Sequence, residues 1–137
     1  MSRCALLLLL AGCSAPGAAD VHVPAPGALG PYSSAVASGG LVFFSGKIAA
    51  ADARRGDLAA EADAALDAVV ADMRAAGLSL LDAVSVTVYL TDMGQYATFN
   101  QVYERRMPEP WPARTCVAVS ALPGGAHVEI AVVARRH

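Results

Sequence analysis

The sequence predicts an α+β fold in which a single mixed sheet carries two helices on one face. Near the beginning of the body, residues 41–46 form a short apolar run, and near its end, apolar side chains recur at every second position of residues 127–134. Both patterns are typical of strands. Between them, residues 57–76 and about 92–106 repeat apolar side chains every three to four positions, as helices do. A chain of 137 residues is long enough for one domain with its own core. The expected order of elements is ββαβαββ.

The first two strands are expected to form a hairpin. Residues 34–38 are followed by Gly39-Gly40 and then by the apolar run LVFFSG at 41–46. Two glycines between extended segments are typical of a tight turn. Because the second run is apolar on both of its faces, it predicts a buried strand.

Both helices have recognisable ends. In the first, Asp57 can cap the beginning and Gly77 can supply the left-handed residue that ends it. The second is expected to begin after Asp92 and to end near Arg106, because the prolines that follow cannot continue a helix. Each presents an apolar stripe to the core, made of Leu66, Val69, Val70 and Met73 in the first helix and of Tyr96, Phe99 and Tyr103 in the second.

Three further strands are expected at 84–90, 114–120 and 127–134. The last two are expected to be neighbours in the sheet, joined by the loop around 122–125. Alternate residues of a strand point to opposite faces. If the apolar faces of the last two strands both pack on the helices, Arg114, Cys116 and Glu129 emerge together on the other face. A bulge in either strand would break this parity.

These polar residues suit a particular chemistry. The guanidinium of Arg114 is a fork for a carboxylate, and the carboxylate of Glu129 can hold a water and accept its proton. Together they predict the addition of water to a small anionic electrophile, with a structural Arg–Glu salt bridge as the alternative. A thiolate at Cys116 would need a cation such as His127 beside it, so this cysteine is expected to be a small packed residue.

Composition argues against several other functions. The net charge is −2 and no basic patch stands out, so nucleic acid is not an expected partner. No spacing of His, Cys, Asp or Glu resembles a metal site. No glycine-rich phosphate loop precedes a helix.

The N-terminal segment resembles a bacterial lipoprotein signal. A charged start and an apolar run precede Leu10-Ala11-Gly12-Cys13, which is similar to a lipobox. We therefore expect a signal peptide at 1–12, a lipidated Cys13, a flexible tether at 13–31 and the folded domain at 32–137. The expected location is the periplasmic side of a membrane. If the start of the chain is assigned wrongly, the alternative location is the cytoplasm.

Four stretches resemble the Rid/YjgF family, whose best-known members are reactive imine/enamine deaminases. They are GPYSSAV, VFFSGKI, VTVYLTDMGQYATFNQVYERRM and WPARTCVAVSALPGGAHVEIAVVA. The resemblance runs from about residue 30 to 135. It implies a chorismate-mutase-like homotrimer with active sites in clefts between subunits, although the strand pattern alone also allows a dimer. It implies hydrolysis of 2-imino acids to 2-keto acids and ammonia, without a metal or cofactor.

The resemblance also implies residue roles. Arg114 would hold the substrate carboxylate, and Glu129 would position the attacking water. Tyr32 would close the pocket and assist proton transfer, Gly46 would lend backbone groups, and Cys116 would line the site without forming a covalent bond. Asn100 matches a family residue, and both a packing role and a catalytic role stay open for it.

Departures from the family pattern leave the substrate open. Lys47 stands where Gln is common, and we expect its long cationic side chain near the cleft mouth, where it would alter substrate choice. Trp111 replaces a frequent Phe. Two other functions stay open, namely a non-catalytic member that binds small carboxylates and, less favoured, RNA cleavage.

Overall fold

A computed structural model describes residues 19–53 and 55–137, and they form one six-stranded sheet with the order β1-β2-β3-β6-β4-β5. The strands are β1 (Val21–Pro24), β2 (Ser33–Ser38), β3 (Leu41–Lys47), β4 (Ala83–Leu90), β5 (Ala113–Ala118) and β6 (Val128–Arg135). The helices are α1 (Ala50–Ala53), α2 (Leu58–Ala75) and α3 (Tyr96–Arg106). Strands β4 and β5 are parallel and the other neighbours are antiparallel, so the sheet is mixed, as the sequence predicts.

Helix α2 begins and ends where the sequence predicts. The Asp57 side chain accepts hydrogen bonds from the backbone N–H groups of Ala59 and Ala60, at 3.0 and 3.2 Å. These bonds satisfy donors that the first turn leaves without helical partners. Gly77 follows the helix with a φ of 75°, which costs a glycine little.

The core lies between the two long helices and one face of the sheet. Alternate residues of β4 and β6 point to this face and are fully buried, among them Val88 and Ile130. Leu66 and Met73 of α2 and Phe99 of α3 pack against them. The predicted helix-bearing face is therefore confirmed.

Neither of the long helices α2 and α3 covers the opposite face of the sheet, which is called the open face below. Phe43 of β3 and Val117 of β5 point to it and are 45% and 38% exposed. The sheet pairing brings Val133 beside Phe43 and Tyr89 beside Val117 on this same face. A single chain thus leaves apolar sheet surface in contact with solvent.

Two expectations about the ends of the fold are wrong. The stretch expected to be a tether contains β1, which pairs with β2 because Val21 and Val23 alternate with His22 and so have the period of a strand. The last strands are also not neighbours, because β4 lies between β5 and β6. Residues 1–18, which include the expected signal peptide and Cys13, lie outside the described residues. Within the described part, no helix is long and apolar enough to cross a membrane.

Candidate active site

Arg114 and Glu129 point to opposite faces of the sheet within one chain. Arg114 pairs with Val86, whose side chain is buried under the helices. Glu129 pairs with Tyr89, on the open face. Because paired residues of neighbouring strands share a face, Arg114 and Cys116 lie on the helix-bearing face and Glu129 on the other. The expectation that the three emerge together is therefore wrong.

Strand β5 presents the opposite faces from those expected, because Val117 was expected to face the helices and instead lies on the open face. Strand β5 is the edge strand of the sheet, where the core tapers off and less of each side chain is covered. An arginine can lie on the core side there, because its long stem packs on apolar rings while its head reaches solvent.

Three aromatic rings of α3 surround the Arg114 guanidinium, and together these four residues are called the Arg114 cluster. The guanidinium carbon lies 4.6 Å from the centre of the Tyr103 ring, 5.9 Å from Phe99 and 5.7 Å from Tyr96. Nη2 donates a hydrogen bond to the Tyr96 hydroxyl at 3.0 Å. A cation above aromatic faces is stabilised by their negative quadrupoles. The rings thus hold the guanidinium without neutralising it.

Within the described residues no carboxylate pairs with Arg114. The ion pairs of α3 involve different arginines. Arg105 and Arg106 both pair with Asp63 on α2, and Arg106 also pairs with Asp67 on the same helix. Because residues 19–53 and 55–137 offer no acceptor to the remaining N–H groups of the Arg114 fork, these groups are available to a carboxylate from outside the chain. Arg114 belongs to β5, a strand at the edge of the sheet, so its guanidinium lies at the border of the sheet.

Cys116 lies beside Arg114 and is not set up as a nucleophile. Burial raises the pKa of its thiol, and the charge of Arg114 lowers it by less. The thiol is therefore neutral at neutral pH, whereas nucleophilic attack requires the thiolate. His127, the candidate activating cation, is engaged elsewhere, since its Nδ1 lies 2.9 Å from Glu61 Oε2 on α2.

Glu129 lines a cavity of about 470 Å³, called the Glu129 cavity. Tyr32 and Gly46, two other residues singled out in the sequence, line it as well. The remaining lining residues, which the sequence analysis missed, are Leu29, Gly30, Ser45, Ile48 and Pro123. Most of these are apolar, so the cavity offers one carboxylate in largely apolar surroundings.

Gly46 is needed for the position of the Glu129 carboxylate. A Cβ atom at Gly46 would overlap Glu129 Oε1 and would stand 2.7 Å from the carboxyl carbon. The pairing of β3 with β6 shifts between Phe44 and Lys47, so Gly46 lies in an irregular part of the strand. Such irregularities are common beside active sites, where they redirect side chains.

Lys47 does not lie free at a cleft mouth, so that expectation is wrong. The register pairs it with Ile130, whose side chain faces the core. The lysine therefore points toward the helices, and its Nζ lies 2.5 Å from Asp72 Oδ2 on α2. Its charge is used within the fold.

Asn100 is placed on α3, one turn before Tyr103. Its Oδ1 and the Tyr103 hydroxyl are both buried, and neither has a hydrogen-bond partner within the described residues. Burial raises the pKa of Tyr103, and the charge of Arg114 partly offsets this effect. The sequence placed Tyr96, Phe99 and Tyr103 in the core, which is confirmed for Phe99 and Tyr103 and wrong for Tyr96, whose side chain is exposed. Their three-to-four spacing gave no sign that they surround an arginine.

A family model described as endoribonuclease L-PSP matches residues 23–136 of this chain. RutC family protein y4sK of Sinorhizobium fredii is 43% identical over 113 residues, which cover 80% of this chain and 90% of that protein. TdcF of Escherichia coli strain K12, provisionally named a reactive intermediate deaminase, is 40% identical over 119 residues. Those residues cover 82% of this chain and 92% of TdcF.

Solved structures agree with these relatives. RidA from an Antarctic Psychrobacter superposes with a TM-score of 0.74 at 38% identity, covering 81% of this chain and 93% of RidA. E. coli TdcF with bound serine superposes with a TM-score of 0.72 at 38% identity, covering 82% and 94% of the two chains. The fold, the relatives and the matched family model agree, and the chain belongs to the endoribonuclease L-PSP family, which is the Rid/YjgF family of the sequence resemblance.

Proposed function

We propose that this protein hydrolyses reactive 2-imino acids to 2-keto acids and ammonia. The observation that carries the proposal is the guanidinium of Arg114, which is held on aromatic rings at the sheet border and has no carboxylate partner in the described part of the chain. A guanidinium without a protein carboxylate is a binding site for the carboxylate of a small acid. The provisional name of TdcF and the serine bound to it are consistent with such a ligand, since serine also carries a carboxylate.

The chemistry requires little beyond binding and a water. Glu129 accepts a proton from water as the oxygen bonds to the imine carbon, and the proton passes to the imine nitrogen. The resulting carbinolamine carries a hydroxyl and an amine on one carbon. Glu129 then takes the proton of this hydroxyl and passes it to the amine nitrogen while the C–N bond breaks. Ammonia leaves, and the 2-keto acid remains. Holding the water and the imine together supplies most of the acceleration.

The other residues of the Glu129 cavity have supporting roles in this proposal. Tyr32 is 49% exposed at the cavity and closes it over the substrate, with its hydroxyl available to assist proton transfer. Gly46 leaves space for the carboxylate and offers its backbone groups to the ligand. Cys116 lines the substrate site as a neutral thiol and forms no bond to the substrate.

The complete site is proposed to lie between subunits of a homotrimer. Because Arg114 and Glu129 lie on opposite faces of their own sheet, one chain does not bring them to a shared hollow. A cleft can combine the Arg114 cluster of one subunit with the Glu129 cavity of its neighbour. The exposed apolar side chains of the open face, Phe43 and Val117, favour the burial of that face against other copies.

The test is the decay of an imine made in solution. An amino-acid oxidase generates 2-iminopropanoate from alanine, and its absorbance is followed with and without the protein. We expect the protein to accelerate the decay and Arg114→Ala to abolish the acceleration. Arg74→Ala, which removes an exposed arginine from α2, should match the wild type. Equal rates for wild type and Arg114→Ala would refute the proposal.

A binding protein for small carboxylates is the second candidate, because the Arg114 cluster can hold a carboxylate without any hydrolysis. The discriminating measurement is calorimetry with 2-ketobutyrate beside the imine assay. Binding without acceleration of imine decay would favour this candidate. RNA cleavage, suggested by the name of the family model, has less support because none of the described residues that line the Glu129 cavity is a lysine, arginine or histidine.

We also propose export and lipidation at Cys13, on the lipobox-like sequence before it. Expression in a two-membrane bacterium with labelled palmitate should label the wild type and leave Cys13→Ser unlabelled. An unlabelled wild type would overturn this proposal and favour the cytoplasmic alternative.

A further inference from the structure

We propose that Tyr96 is a positioning residue, which orients the guanidinium of Arg114 for the ligand carboxylate through its hydroxyl. The inference rests on the proposed function, in which Arg114 binds that carboxylate. The contact that carries it is the hydrogen bond donated by Arg114 Nη2 to the Tyr96 hydroxyl at 3.0 Å.

Tyr96 is held in place by the start of its helix. It is the first residue of α3 and follows a 3-10 turn at Met93–Gln95. The Asp92 side chain caps that turn by accepting a hydrogen bond from the Gly94 N–H at 2.8 Å. The hydroxyl is therefore presented from a fixed backbone, which is what a group must have to orient another.

Aromatic contacts alone do not set the rotation of the guanidinium. The attraction between a cation and a ring face depends on where the cation lies above the ring, and it does not select which N–H groups of the guanidinium point toward a ligand. A hydrogen bond is directional and weakens steeply as its angle closes. Of the two tyrosine hydroxyls that α3 offers, the Tyr96 hydroxyl bonds to Arg114, whereas the Tyr103 hydroxyl has no partner within the described residues.

Packing explains Tyr96 poorly. Its side chain is 39% exposed, whereas Phe99 and Tyr103 on the same helix are 0% and 6% exposed. The hydroxyl makes no other hydrogen bond among the described residues. Its removal should therefore have little effect on the core and should release mainly the arginine.

The consequence for binding is a fork that is oriented before the ligand arrives. A bidentate pair requires two N–H groups of the guanidinium to face both carboxylate oxygens. An arginine without the hydrogen bond samples more rotamers and loses more freedom on binding. Because Glu129 and its water lie in a different part of the site, the chemical step should change little.

The test compares wild type with Tyr96→Phe, which keeps the ring and removes the hydroxyl. We expect the dissociation constant for 2-ketobutyrate, measured by calorimetry, to rise roughly five- to tenfold. KM for the imine should rise by a similar factor with kcat within about twofold, the signature of lost binding that is equal in ground and transition states. Gln101→Ala, an exposed change on the same helix, should match the wild type.

A second comparison separates orientation from stability. Arg114→Lys keeps the charge and loses the fork, so adding Tyr96→Phe to it should weaken binding no further. Unchanged affinity in Tyr96→Phe, or the same loss in both arginine and lysine backgrounds, would overturn the inference. If the wild type binds 2-ketobutyrate but does not hydrolyse the imine, the proposed function alone is refuted. The calorimetric comparison of wild type with Tyr96→Phe then still decides the inference about Tyr96. A wild type that neither binds 2-ketobutyrate nor accelerates the decay of the imine overturns both.

Discussion

Mixing two inactive variants tests whether the site is shared between chains. Arg114→Ala removes the carboxylate fork from the helix-bearing face, and Glu129→Gln removes the proton acceptor from the open face. Each variant alone should be inactive. If each site takes Arg114 from one chain and Glu129 from another, a mixed oligomer contains some sites in which both contributing residues are intact.

The expected recovery follows from the arrangement. In a random assembly of equal parts, the chain that supplies Arg114 to a site has this residue intact in about half of cases, and the same holds for the chain that supplies Glu129. About a quarter of the sites therefore have both residues intact. The two variants are unfolded and refolded together, and the imine assay measures the recovered kcat per site. The same variants refolded separately and then combined serve as the control for subunit exchange.

A converse mixture strengthens the test. When the wild type is refolded with a variant that carries both substitutions, shared sites predict about a quarter of full activity, and sites within one chain predict about half. No recovery in the first mixture, together with half activity in the second, would refute the assignment of Arg114 and Glu129 to different subunits.

The remaining predictions concern single positions. Gly46→Ala should displace the Glu129 carboxylate and lower kcat/KM by about 100-fold while the thermal midpoint changes little, and undiminished activity would contradict the overlap seen at this glycine. Glu61→Ala should lower the free energy of unfolding by about 3 kcal/mol in urea, because the buried carboxylate accepts hydrogen bonds from the backbone N–H of His127 at 2.7 Å and from the next residue at 3.2 Å. Cys116 should react with iodoacetamide more slowly than free cysteine at pH 7.5, because burial raises the pKa of its thiol. Its reactivity should increase only as the pH rises above the ordinary thiol pKa. Mass spectrometry of the Cys116 peptide measures the rate, and a fast reaction at pH 7.5 would contradict this prediction.

Much of the fold was predictable from local pattern. The ends of α2 follow from Asp57 and Gly77, whose effects need only the neighbouring backbone. The hairpin of β2 and β3 follows from Gly39-Gly40 in the same way. Strand β1 was missed because a strand of four residues beside prolines and glycines carries little periodicity, although Val21 and Val23 provided the signal.

The neighbour of β5 was also open to prediction. A helix between two strands is typical of a crossover that makes them parallel neighbours, and α3 lies between β4 and β5. The short loop between β5 and β6 was interpreted as a hairpin, which would make those two strands neighbours. The order of strands across a sheet depends on contacts between distant segments, and these place β4 between them. Choosing the hairpin put Arg114 and Glu129 on adjacent strands.

The sequence by itself determined the α+β class, the helix ends, and the residue types that suit carboxylate binding and water activation. Only the tertiary structure decided the face of each side chain, since that depends on which strands pair and in which register. It also decided that the rings of α3 surround Arg114, that Lys47 is held by Asp72, and that Gly46 makes room for Glu129. The physical reason is that caps and turns act over a few residues, whereas strand order and side-chain contacts are set by burial of the whole core.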